Sequence, residues 1–273
     1  MNNIIANIKK PYIIGAVILL VVIGGFFVYE HEHGPEAKYQ KGLRYYKEKR
    51  YRAALPFFQE AAEHNYAPAE AKLGVMYAEG LGVSPHYRKA VYWLKKAAKQ
   101  GNAEAENALG GMYLLGAGVS QHFTKAVYWY KKAAEQGYAP AEYNLGQMYA
   151  KGLGVRQDYS KALYWYKKAA EQGFAPGENN LGYMYSKGLG VPQDYNKALY
   201  WYKKAAEQGL AAAEANLGSM YVYGLGVPQD YSKAVYWFKK AAKQGDAKGE
   251  NDLGAMYQYG KGVPQDYLSL IHI

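Results

Sequence analysis

Between Ala139 and Phe174 the apolar positions form two short stretches at helical spacing. In the first, Ala141, Leu145, Met148 and Tyr149 share one face, as in an amphipathic helix. Pro140 suits the first turn of such a helix, and Glu142 complements its dipole. Gly146 lies beside the stripe; it lowers helix propensity but permits close backbone approach. Gly152 predicts a left-handed stop, and Gly154 continues a tight loop. Asp158 is a good N-cap for a second helix. On that helix Ala162, Leu163, Trp165, Tyr166, Ala169 and Ala170 share one broad arc, and Ser160, Lys161, Tyr164, Lys167, Lys168 and Glu171 share the other. Gly173 ends the stretch.

The pattern recurs along most of the chain. Leu-Gly-x-Met-Tyr begins at Leu73, Leu109, Leu145, Leu181, Leu217 and Leu253, every step 36 residues. All five tryptophans, Trp93 through Trp237, fall in one column of this frame, and Met76 through Met256 in another. Neither helix of a unit can bury its face alone, so adjacent units must stack, which predicts an all-α solenoid. The units run 67–102, 103–138, 139–174, 175–210 and 211–246, with a partial one over 247–267. Beyond Tyr267 every column is missed at once, so residues 268–273 read as a non-native or truncated end.

The N-terminus is built differently. Residues 12–29 form an unbroken 18-residue uncharged segment, about 27 Å long as a helix and close to a hydrocarbon core of roughly 30 Å. Lys9 and Lys10 precede it, Glu30 and Glu32 follow, and Tyr12 and Tyr29 stand where interfacial aromatics belong. We read residues 1–11 as a short cytoplasmic N-terminus, 12–29 as a transmembrane signal anchor and 30–36 as a linker to extracytoplasmic repeats. Cleavage near Gly24 or Gly25, giving a secreted protein, is the alternative; it would leave an apolar Phe26–Tyr29 mature end.

Ala141-Glu142, Leu145-Gly146-x-Met148-Tyr149, Gly152-x-Gly154-Val155, Asp158-Tyr159, Lys161-Ala162, Trp165-Tyr166 and Ala169-Ala170-Glu171-Gln172-Gly173 together resemble the Sel-1-like repeat family, a relative of the tetratricopeptide repeat. Residues 37–66 look like a first tetratricopeptide-type unit with a shortened loop; Pro56, inside its second helix, predicts a kink or a late start. The resemblance implies a right-handed α-solenoid used for protein binding, often in the bacterial envelope. A cysteine-rich branch of the family staples its repeats with disulfides and is associated with penicillin binding; this chain has no cysteine.

Composition narrows the chemistry further. Without cysteine, thiolate metal sites and thiol nucleophiles are excluded. Gly80-Leu-Gly82 and its copies lack the third glycine of a dinucleotide fingerprint. None of the seven serines has a lysine three residues later, so the serine β-lactamase signature is missing. Of the six histidines only His31-x-His33 has metal-like spacing, and solvated residues at the membrane exit explain it; His86 and His122 fill the slot of Asp158 and read as weaker N-caps. The column Glu70, Glu106, Glu142, Glu178, Glu214 and Glu250 near the buried side reads as one structural hydrogen bond or ion pair per unit rather than an acid–base pair. No catalytic residue, cofactor or metal is expected.

The net charge is +10, of which residues 37–102 contribute +8. An anionic surface, lipid or cell-wall polymer, is therefore a secondary partner for the first repeats. Tyr164 between Lys161 and Lys168 is within cation–π reach of both. Nucleic acid is not expected for an extracytoplasmic domain.

The expected function is a membrane-anchored, non-catalytic scaffold that binds a protein or peptide. An envelope carbohydrate- or anionic-lipid-binding scaffold is the alternative; a β-lactamase-like hydrolase is a weaker one. In tetratricopeptide-like solenoids, the positions two before and two, five and six after the motif leucine line the concave groove. The resemblance thus places Asn107, Tyr143, Gln147, Lys151, Asn179, Tyr183, Lys187, Tyr223 and Tyr259 there. Rigid aromatics and amides suit peptide backbones, and the lysines favour an acidic segment.

Overall fold

The computed structural model describes residues 34–266. Among these the structure is all-α, an array of thirteen helices of thirteen residues each: α1 Pro35–Lys47, α2 Tyr51–Glu63, α3 Ala67–Glu79, α4 Tyr87–Lys99, α5 Ala103–Leu115, α6 Phe123–Glu135, α7 Ala139–Lys151, α8 Tyr159–Glu171, α9 Ala175–Lys187, α10 Tyr195–Glu207, α11 Ala211–Tyr223, α12 Tyr231–Lys243 and α13 Ala247–Tyr259. Odd-numbered helices are the first helices of the repeats and even-numbered ones the second. The anchor segment 12–29 and the end 268–273 lie outside the described residues. Among the described residues no helix is long and apolar enough to cross a membrane.

The described residues divide into two compact units, 34–121 and 122–266. In the first, α1 to α5 pack each on the next, and α3 also touches α5. Its core gathers Ala54, Phe58, Ala61, Ala62, Leu73 and Met76, with Tyr39, Tyr46 and Trp93 packed against them. Helix α1 begins inside the segment assigned to the linker, with Pro35 in its first turn. Helix α2 begins at Tyr51 and contains Pro56, so of the kink or late start expected there the late start does not occur. Phe58 lies over Gly42, where an added Cβ would come within 2.7 Å of its ring.

In the second unit α6 to α13 follow the same rule, and first helices also touch across the repeat, α7 with α9 and α11 with α13. Motif leucines and methionines are buried in every copy, as are the alanines of the second helices of this unit apart from the half-buried Ala242. Gly146, Gly182 and Gly218 admit the aromatic rings of Tyr166, Tyr202 and Phe238; a Cβ at Gly146 would sit 2.7 Å from Tyr166. The N-caps are as expected. Asp158, Asp194 and Asp230 accept from the backbone N–H three residues on at 2.9, 3.0 and 2.9 Å, and these bonds hold their carboxyls below the usual range. His86 and His122 fill the same role at 3.3 and 3.4 Å.

Four glutamates of the column close their repeats. Glu142 is buried near the start of α7 and accepts from the Gln172 side chain, just beyond α8, at 2.8 Å. Gln100 with Glu70, Gln208 with Glu178 and Gln244 with Glu214 repeat the bond at 2.7, 2.7 and 2.8 Å. A lysine of the second helix reaches the same carboxylate, Lys96 to Glu70 and Lys240 to Glu214 both at 2.9 Å. Burial holds the Glu142 and Glu178 carboxyls above the usual range, against the pull of these partners. The beginning of one helix is thereby tied to the end of the next.

Candidate site: a groove along the first helices

Each second helix turns one face to its partner and the other to solvent. On the solvent side of the second unit stand Tyr128, Tyr164, Tyr200 and Tyr236, each more than half exposed and each edge-on to the following tryptophan at 4.9–5.0 Å. Lys168 lies over both Tyr164 and Trp165, at 5.4 and 5.7 Å. Lys161 does not bracket Tyr164 as expected. It turns to Tyr149 on the first helix, 5.4 Å away, and to its own N-cap Asp158. The carboxylate at the helix start and the ring of α7 outcompete a solvated tyrosine.

First helices are covered on several sides, by their own second helix and by neighbouring repeats, which leaves only a narrow strip open. Along α9, α11 and α13 these strips combine into a groove of about 790 Å³. Tyr183, Tyr223 and Tyr259 wall it, with exposures of 46, 72 and 65 %. Tyr202, Met220, Phe238 and Met256 form the floor. Burial pushes the Tyr202 hydroxyl up to about 12, and Ser186 Oγ lies 3.4 Å from it.

A polar line crosses these strips. Burial raises the Tyr143 and Tyr166 hydroxyls above the usual range, and the Asn180 side chain pulls both back. Asn179 Nδ2 donates to Asn180 Oδ1 at 3.3 Å, Asn216 Nδ2 to Asn179 Oδ1 at 3.0 Å, and Lys248 Nζ to Asn216 Oδ1 at 2.9 Å and Ser219 Oγ at 2.8 Å. Burial holds the Lys248 ammonium below the usual lysine range; Asp252 and Asp246 pull it up, and Lys187 adds to the depression. The matching columns of the first unit hold an ion pair instead, Lys72 with Glu104 at 2.5 Å, with the lysine also over Tyr46.

Of the nine residues expected in a groove, Tyr183, Lys187, Tyr223 and Tyr259 line this one. Asn179 reaches it through Asn216. Tyr143 does not stand open in a groove. It packs on Tyr166 and Phe174, with ring centroids 5.9 and 5.6 Å away, and accepts from Gln147. Tyr143 is thus half-buried against the repeat core, held by the ring of α8 and the residue before α9. Lys151 is exposed at the last turn of α7, and Asn107 is half-buried in the first unit. Sequence reasoning missed Asn216, Asp252 and Lys248, one and five positions before the motif leucine. Their columns vary as much as those chosen, and that variation was the available signal.

Comparison with known proteins fits this architecture. The family model described as Sel1 repeat matches residues 67–102, 103–138, 139–174, 175–210, 211–246 and 247–268. The crystal structure of a Sel1 repeat protein from Oxalobacter formigenes is 34 % identical, aligns over 86 % of this chain and 94 % of that one, and gives a TM-score of 0.79. That of c5321, a protective antigen present in uropathogenic Escherichia coli strains, is 35 % identical over 89 % of this chain and 53 % of its own, with a TM-score of 0.72. The immunity protein Pa5087 from Pseudomonas aeruginosa, 20 % identical with a TM-score of 0.55 over 77 % of this chain and 84 % of its own, shares the fold alone. No curated protein matches the sequence. Sel1 and tetratricopeptide-like repeats are generally protein-interaction scaffolds and typically non-catalytic. With six consecutive copies of the motif matched, this chain belongs to the Sel1 repeat family.

Proposed function

We propose that the protein is a membrane-anchored, non-catalytic scaffold that binds a protein or peptide partner along the groove of its second unit. The observation that carries this reading is the groove itself: three exposed tyrosines and a line of amides stand above an apolar floor. Rigid aromatic walls bury much area at little entropic cost, and amides can pair with a peptide backbone. The apolar segment 12–29 would hold the N-terminus in the cytoplasm and the repeats outside it, in a bacterium the periplasm. That the Escherichia coli relative is a protective antigen supports placement of the repeats beyond the cytoplasm.

Crosslinking of the native membrane protein, followed by identification of what is captured, tests the reading. Changing Tyr183, Tyr223 and Tyr259 to alanine should abolish capture and leave helicity unchanged. Capture that survives this change but is lost with Tyr164, Tyr200 and Tyr236 would move the site to the outer face. Extraction of the protein by alkaline carbonate, without detergent, would sink the anchor.

An anionic envelope surface is a second reading for the first unit. There Lys41 lies over Phe57 at 4.8 Å, Phe57 stacks on Tyr45 at 5.6 Å, and Arg50 covers Tyr45 at 4.6 Å. Sedimentation with anionic but not neutral vesicles, lost on changing Lys41 and Arg50, would favour it.

A further inference from the structure

The groove carries more positive charge than its own residues neutralise. Tyrosines aside, its ionisable lining is Lys187, Lys248, Lys261 and Asp252, three cations against one anion. Lys261 lies over the Tyr231 ring at 5.4 Å. Lys248 donates to Asn216 and Ser219, whose neutral oxygens aim the ammonium into the groove without cancelling its charge. Lys187, exposed in the last turn of α9, has no carboxylate within ion-pair distance among the described residues. Its charge is felt at Lys248, where it opposes protonation. A negative group between them would remove that repulsion and gain two charge-assisted hydrogen bonds.

We propose that the groove seats a side-chain carboxylate of an acidic peptide segment between Lys187 and Lys248, with a neighbouring apolar residue of that segment against Tyr223 and Tyr259. The inference rests on the groove being the partner site and adds the chemistry of the partner. With Asp252 offsetting one of the three lysines, the site keeps a net demand of two charges, which successive carboxylates of an acidic segment meet. A volume of about 790 Å³ spread over three repeats suits an extended chain of a few residues. The amides of Asn216 and Asn179 lie along its path.

The test is fluorescence anisotropy on the full chain in detergent micelles, with a labelled Glu-Glu-Leu-Glu-Glu-Leu peptide blocked at both ends so that only side chains carry charge. Saturable binding that weakens as salt rises is expected. Lys187→Gln and Lys248→Gln should each weaken it about tenfold. Lys187 sits exposed in the last turn of α9, so Lys187→Gln should leave the fold intact, which unchanged helicity and melting would verify, and Lys248→Gln keeps a donor for Asn216. Equal binding of the same peptide with Gln for Glu would overturn the proposal. So would binding that requires a free C-terminal carboxylate, or tighter binding of a phosphoserine version. In the crosslinking experiment, a partner lost with the tyrosine variants but kept by both lysine variants would leave the groove standing and remove the acidic segment. A partner kept by all of them would remove the groove.

Discussion

Two glycines of one repeat separate the cost of backbone conformation from the cost of close contact. Gly154 and Gly173 both have positive φ, 68° and 76°. An L side chain in that region costs about 1–2 kcal/mol, partly offset by about 0.4–1 kcal/mol from the reduced freedom of the unfolded chain. Around Gly173 an added Cβ meets nothing within 4 Å. Gly173→Ala should therefore cost about 1 kcal/mol. At Gly154 the same Cβ would lie 2.4 Å from the Phe123 carbonyl carbon and 2.7 Å from the Thr124 nitrogen. These atoms are backbone at the start of α6 and cannot rotate away, so overpacking adds about 1–3 kcal/mol. Gly154→Ala should cost about 2–4 kcal/mol by that sum. Urea unfolding of the full chain followed by circular dichroism measures both. Because contacts in repeat arrays are local, a lower slope for Gly154→Ala would report uncoupling of the neighbouring repeats. Equal costs at the two sites would refute the claim that this loop is held by contact with the preceding repeat.

Three further outcomes are expected. Glu214→Ala leaves the donors of Gln244 and Lys240 without their carboxylate and opens a void, so it should destabilise by about 2–3 kcal/mol, with Glu214→Gln milder; a loss below half a kcal/mol would deny the glutamate its closing role. His122→Asp should raise stability by about 0.5–1 kcal/mol, since a carboxylate caps the helix and complements its dipole better than a neutral ring; a lower melting temperature would contradict this. Asp158, Asp194 and Asp230 have lowered folded-state values, so the stability they supply is present above the unfolded value and is lost as pH falls through the folded one. The advantage of the wild type over Asp158→Asn should therefore shrink on acidification, and a constant difference between pH 7 and pH 2 would refute that assignment.

The helices and their caps were legible because they depend on neighbours in sequence. Gly152 in the left-handed region, Asp158 bonded to the Lys161 amide and the apolar arc of α8 all act within one or two turns. The 36-residue recurrence then forces stacking, since identical faces must be buried by identical neighbours. Even the glutamate column could be assigned a structural bond, although its partners Gln172, Gln208 and Gln244, 30 residues on, were not named.

What only the tertiary structure decided is which polar positions of the first helices remain open. A second helix is amphipathic, so its solvent face is marked by its own lysines and tyrosines. A first helix is packed on several sides; in α11 alone Ala213, Glu214, Ala215, Leu217, Gly218 and Met220 are all buried. Its apolar positions cover too much of the circumference to point away from any one direction. Adjacent positions on a helix lie about 100° apart, so a small difference in how the next repeat sits exchanges one column for the other. That is why Tyr143 packed against the core while Asn216 and Asp252, one position along, came to line the groove. Likewise Lys248 meets Asn216 and Ser219 from 32 and 29 residues away, a juxtaposition set by the stacking of whole repeats and by nothing local to either stretch of chain.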